Sequence, residues 1–210
     1  MPIYKSIAVN SQTNVKIWNI TESCMELMQN VELKKESINK VNTMKSELHQ
    51  RGFLSVRLLL KAFGYSDFDL FYDGNGKPHL KDGNYISITH SYTFSAVVVS
   101  SNPVGIDIEK QRKKITNIAS KFTGFEVCFL KKNSEDYIQK LTWVWCIKEA
   151  LYKLYAKPGM SFKKHFMVIP FGEEKNSTIA WILDETNRQR FEGLFLEFEG
   201  FGCAITTPLI

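Results

Sequence analysis

The sequence predicts an α+β fold whose helical and strand signals arrive in separate blocks. Two stretches, residues 37–63 and 136–156, place apolar residues three and four apart, the period of a helix with one buried face. Each is followed by short β-branched and aromatic runs punctuated by glycine, proline and asparagine, which read as antiparallel strands joined by tight turns. At 210 residues with 44% apolar and 13% aromatic content, the chain can bury a real core, as one large domain or as two halves. Both parts share an order of helix, turn and several strands, which raises an internal duplication.

Residues 7–20 hold two β-branched runs around Asn10-Ser11-Gln12-Thr13-Asn14, the pattern of a hairpin. One helix is expected over 37–63, with Phe53, Val56, Leu59 or Leu60, and Phe63 on its apolar face and Gly64 as its stop. A strand over 67–72 leads into the turn Asp73-Gly74-Asn75-Gly76-Lys77-Pro78. Strands at 85–90, 94–100 and 104–109 then follow so closely that they suggest an antiparallel meander. Thr123 and Glu126 are spaced as a capping box. The strongest helix signal, 136–156, carries Leu141, Val144, Ile147, Leu151 and Leu154 and ends at Lys157-Pro158-Gly159. From His165 to Thr206 apolar runs alternate with turns such as Phe171-Gly172 and Glu199-Gly200, predicting strands of a second sheet. Pro103 marks the junction without a flexible linker, so halves 1–103 and 104–210 are expected to pack rather than hang on a tether.

Met1-Pro2-Ile3-Tyr4-Lys5 lacks the charged-then-apolar layout of a signal peptide, and no apolar run is long enough to span a membrane. Cys24, Cys128, Cys146 and Cys203 show no metal-ligand or disulfide spacing and read as reduced thiols. A formal charge of +5 suits phosphorylated ligands or an acidic protein and does not demand nucleic acid. A cytoplasmic protein with neither nucleic-acid nor membrane partners is expected.

In Gly105-Ile106-Asp107-Ile108-Glu109, strand alternation sends both isoleucines into the core and both carboxylates to the other face, roughly 7 Å apart. Such a face is either washed by solvent or a hard-cation site, since Mg²⁺ favours a few carboxylates and keeps positions for phosphate oxygens. In a meander, His90 and Glu109 would share one end of the sheet, with Thr89, His90 and Ser91 offering donors to phosphate. Glu149 and Lys153, four apart on the second helix, could be an ordinary surface pair. However, Trp145 lies on the same side of that helix, and an indole there suggests a covered face. Lys77, by itself, is a cation in a turn.

Taken together, Gly76-Lys77-Pro78, Ile88-Thr89-His90-Ser91, Gly105-Ile106-Asp107-Ile108-Glu109 and Trp145-x-x-Lys148-Glu149-Ala150-x-x-Lys153 resemble, in order and spacing, the 4′-phosphopantetheinyl transferases of the longer Sfp type. The resemblance runs from about Arg51 to Lys153. It implies a pseudo-dimer of two similar α+β halves with antiparallel sheets and a ligand cleft between them. The N-terminal half would be the coenzyme A side, and the C-terminal half would carry the Mg-binding strand and the catalytic helix.

The implied reaction moves the 4′-phosphopantetheine of coenzyme A onto a serine of an apo acyl or peptidyl carrier protein, releasing adenosine 3′,5′-bisphosphate. By resemblance, Asp107, Glu109 and Glu149 would hold Mg²⁺, or Mn²⁺ in its place, and Asp107, Glu149 and Lys153 would be catalytic. Glu149 or a metal-bound water would take the serine proton, and Lys153 would stabilise the leaving phosphate. Arg51, Arg57, Lys77, Thr89, His90, Lys148 and Lys153 would contact coenzyme A, with His90 at its 3′-phosphate. The enzyme would act as a monomer in fatty-acid or secondary-metabolite synthesis. Thr89 stands where the family usually has serine, and Cys146 where a small or hydroxylated residue is commoner.

Two other readings compete. A non-catalytic module gripping a nucleotide or acidic protein would tolerate loss of Asp107. A hydrolase using Asp107 and Glu109 as acid and base would have both on one face of one strand rather than flanking a substrate.

Overall fold

The computed structural model describes residues 3–172, 176–184 and 187–209; Met1 and Pro2 of the N-terminal segment lie outside this range. It is an α+β protein with antiparallel sheets, divided between Asn102 and Pro103 into two compact units. Among the described residues no helix is long and apolar enough to cross a membrane.

In the first unit, β1 (Ile3–Asn10) and β2 (Thr13–Asn19) form the expected hairpin. A short helix α1 (Cys24–Gln29) follows, started by a reciprocal capping box between Ser23 and Glu26. The single helix expected over 37–63 is two, α2 (Lys35–Thr43) and α3 (Glu47–Ala62). Met44 and Ser46 are extended at the break. Gln50 stabilises it by donating its amide to the carbonyls of Val41 and Met44 at the end of α2, at 3.2 and 3.0 Å.

Residues 67–69 form a 3₁₀ turn, and only β3 (Leu70–Tyr72) is strand; it pairs with β4 (Pro78–Leu80) across the expected turn. Strands β5 (Tyr85–Ser91) and β6 (Phe94–Ser100) complete a sheet ordered β1-β2-β6-β5. The core under α3 includes Trp18, Leu54, Val56, Leu59, Leu70, Ile86 and Val97.

The second unit opens with β7 (Gly105–Lys110). Short helical turns at 113–117 and 125–128 flank α4 (Ala119–Phe122), and the long α5 (Tyr137–Tyr155) follows. Its sheet is completed by β8 (Phe166–Val168), β9 (Ser177–Leu183), β10 (Arg188–Phe198) and β11 (Phe201–Pro208), in the order β7-β11-β10-β9-β8. Leu141, Val144, Ile147 and Leu151 of α5 are fully buried, each contributing about 2 kcal/mol of apolar burial.

The meander expectation is therefore corrected. β7 pairs with β11, not β6, with Asp107 opposite Ala204 and Glu109 opposite Gly202. Pairing is non-local, and adjacency in sequence misled. His90 and Glu109 belong to different sheets, so the shared-edge argument that joined them falls.

A repeat is visible in the topology of each unit taken alone. In the first, β2 is followed by α3 and later by β5 and β6, paired as β2-β6-β5; in the second, β7 is followed by α5 and later by β10 and β11, paired as β7-β11-β10. The helix packs on the same three strands of its own sheet each time.

Candidate active site

Two glycines let α5 lie close on its sheet. A Cβ at Gly105 would stand 1.9 Å from the Ala150 carbonyl oxygen and 3.0 Å from Thr206 Oγ1, and one at Gly202 would meet Thr142 and Trp143 at 3.2 Å. Gly193 fits under Ile147. Gly105, Asp107 and Glu109 alternate onto the face toward α5, so both carboxylates look at the helix, not into solvent. Gly105→Ala is expected to lift α5 at Ala150, the neighbour of Glu149. Destabilisation of about 1–3 kcal/mol, with kcat falling more than any KM, is the expected result in urea unfolding and steady-state kinetics.

Asp107 is buried, and its Oδ1 accepts from Lys153 Nζ at 2.7 Å. The same ammonium donates to the Ile106 carbonyl at 3.1 Å. Glu149, one helical turn before Lys153, has its carboxyl pushed up to about 7, first by burial and next by the negative charge of Asp107; Lys153 opposes the shift and Glu109 adds to it. Asp107, Glu109, Glu149 and Lys153 therefore form one electrostatic cluster between β7 and α5. It brings three carboxylates together with the Lys153 ammonium, and carboxylate oxygens of this kind are what a hard divalent cation binds. Among the described residues no three carboxylate, histidine or cysteine side chains are drawn together as a metal cage. Here Lys153 sits on Asp107 as the local cation.

Apart from Lys148 on α5, the other predicted residues lie in the first unit, and not all are free to act. Arg57 is 3% exposed, donates through Nε to Asp67 at 3.1 Å, and stacks on Phe53 with its guanidinium carbon 3.5 Å from the ring centroid. It is a buried strut that ties α3 to Asp67. Arg51 donates through Nη2 to the Ile20 carbonyl at 2.8 Å. Lys77 is half-buried at the start of β4, where desolvation lowers its ammonium pKa against the opposing charge of Asp73. On β5, Thr89 is buried while His90, on the opposite face, is exposed.

The sequence of the second unit matches the 4′-phosphopantetheinyl transferase superfamily over residues 103–206, a span containing both the carboxylate strand and the helix that faces it. The chain belongs to this superfamily. The 4′-phosphopantetheinyl transferase gsp of Aneurinibacillus migulanus is 25% identical over 186 residues, covering 85% of this chain and 76% of the relative. The protein is thus a transferase.

Within the transferase, Lys148 departs furthest from its expected role. Its Nζ lies 2.7 Å from Glu126 Oε1, 2.7 Å from the Phe122 carbonyl and 3.1 Å from the Phe162 carbonyl, and both side chains of the pair are 0% exposed. Its three ammonium donors are thus engaged within the unit. Glu126 is likewise no capping residue for Thr123. It accepts from the backbone N–H groups of Gly124 and Val168, both at 2.9 Å, while Thr123 donates to Ala119.

Cys146 is buried and donates weakly to the Gly202 carbonyl at 3.5 Å, fastening α5 to β11. Trp145 stacks on Phe162 and meets Phe122 edge-on. It also joins Glu109, Arg112, Lys114, Ile115 and Ile118 in lining an open pocket of about 230 Å³.

Proposed function

We propose that this transferase moves 4′-phosphopantetheine from coenzyme A to the hydroxyl of a serine on an apo acyl or peptidyl carrier protein, releasing adenosine 3′,5′-bisphosphate. The observation that carries the reading is Glu149, a carboxyl held near neutrality between Asp107, Glu109 and Lys153. A group titrating at about 7 is matched to accepting a serine proton at physiological pH. In the transfer, the serine oxygen bonds to the phosphorus bearing pantetheine, its proton passes to a Glu149 oxygen, and the bond to the adenosine 5′-phosphate breaks. Lys153, already a donor to Asp107, can turn its ammonium to the departing phosphate oxygen.

Asp107, Glu109 and Glu149 would hold Mg²⁺, with Mn²⁺ as a substitute; when bound, it would neutralise charge developing on the pyrophosphate oxygens. The N-terminal unit is the coenzyme A side in this reading, through Arg51, Lys77, Thr89 and His90. The exposed basic run Arg112-Lys113-Lys114 beside the Trp145 pocket and Lys163-Lys164 would favour an acidic carrier. The enzyme works as a cytoplasmic monomer in fatty-acid or secondary-metabolite synthesis.

Incubation with coenzyme A, Mg²⁺ and a panel of apo carrier domains is expected to add the phosphopantetheine mass to a serine in at least one of them, read by intact-protein mass spectrometry. Absence of the adduct on every carrier, with the protein folded, would sink the reading.

A further inference from the structure

Beside His90 stands a second imidazole that the reading above leaves unused. Gly52 of α3 has no Cβ, and one built there would lie 2.9 Å from both Cγ and Nδ1 of His90. The missing methyl lets the His90 ring settle on the helix backbone. His49, three residues before Gly52 and on the same side of α3, keeps its ring centroid 6.2 Å from that of His90, with the planes tilted by 51°. Both imidazoles are exposed, and His49 makes no side-chain hydrogen bond among the described residues. A glycine inside the 16-residue α3 costs about 1 kcal/mol relative to alanine, which makes a close ring-to-backbone contact its physical rationale.

Arg51 adds a cation from the same turn. Its Nη2 donates to the Ile20 carbonyl, and the Ile20 N–H donates to Thr93 in the turn that follows β5. Its Nε is buried without a hydrogen-bond partner.

We propose that His49 and His90 act as a paired imidazole clamp for a phosphate monoester, making His49 a specificity-determining residue for the 3′-phosphate of coenzyme A. The inference rests on the coenzyme A reading. A phosphate monoester offers three terminal oxygens, so each ring can donate one N–H to a different oxygen, and a charge-assisted bond of this kind is worth about tenfold or more in affinity.

The test compares wild type, His49→Ala and His49→Gln on coenzyme A and on 3′-dephospho-coenzyme A. In His49→Ala the KM for coenzyme A should rise about tenfold with kcat little changed and the KM for the dephospho substrate unmoved; His49→Gln, which keeps a donor, should recover part of the loss. Calorimetric titration with adenosine 3′,5′-bisphosphate and with adenosine 5′-monophosphate should show the same contrast without turnover. An equal change toward both members of a pair, or none toward either, overturns the clamp. If wild type fails to use coenzyme A at all, the coenzyme A reading falls, and the two titrations alone then decide the clamp.

Discussion

Glu149→Gln is expected to fold and to lose turnover by about 10²–10⁴-fold, the span that a positioned general base contributes. The same substitution should change stability in the opposite direction. The Glu149 carboxyl sits at about 7 in the folded chain against an ordinary 4.5, so between those values the folded state binds more protons than the unfolded one. Stability then falls as pH rises through that window, and the full cost is present above pH 7. Allowing for solvent screening at its accessible side, the cost is about 1–3 kcal/mol.

Chelator-treated Glu149→Gln should therefore unfold at higher urea than wild type at pH 8 and at the same urea at pH 4. Added Mg²⁺ should close the gap at pH 8 by stabilising wild type more than the variant. Wild-type turnover in the variant would remove Glu149 from the mechanism. An equal Mg²⁺ response in both proteins would remove it from the metal site.

What could be read in advance divides along physical lines. Alternation in Gly105-Ile106-Asp107-Ile108-Glu109 correctly puts both carboxylates on one face, because a strand's period of two is a local property. Which sheet receives that strand is not local, and β7 pairs with β11 about a hundred residues away in sequence rather than with the neighbouring β6. The same limit explains the charged residues. Thr123 and Glu126 have a capping-box spacing, yet the buried ammonium of Lys148 on the following helix outweighs that local preference.

Arg57 did carry a readable warning. It interrupts an apolar run, Phe53 to Leu60, in which every residue is buried, and a charge there needs an acid close by. Asp67 supplies it. Gly52 gave no such signal, since nothing in a helix sequence says which ring will rest against a missing Cβ. Ser23-x-x-Glu26, by contrast, marks the start of α1 plainly, but periodicity alone passes over a helix of six residues.

Lys148 separates a structural strut from a substrate contact. Its ammonium holds three parts of the C-terminal unit together: Glu126 and the Phe122 carbonyl on the segment before α5, and the Phe162 carbonyl after it. Lys148→Ala removes the cation and leaves a carboxylate, 0% exposed, facing only the N–H groups of Gly124 and Val168. Stranding one member of a buried pair costs about 3–5 kcal/mol, and urea unfolding should show a loss of that size. Replacing both members, as Glu126→Gln with Lys148→Met, should recover much of it, since no charge is then left without a counter-ion. At low temperature, where the variants remain folded, the KM for coenzyme A should stay within about twofold of wild type, well under the tenfold that loss of a charged contact brings. Unchanged stability together with a KM raised tenfold would instead make Lys148 a ligand of the substrate, and would require its three bonds to open whenever coenzyme A binds.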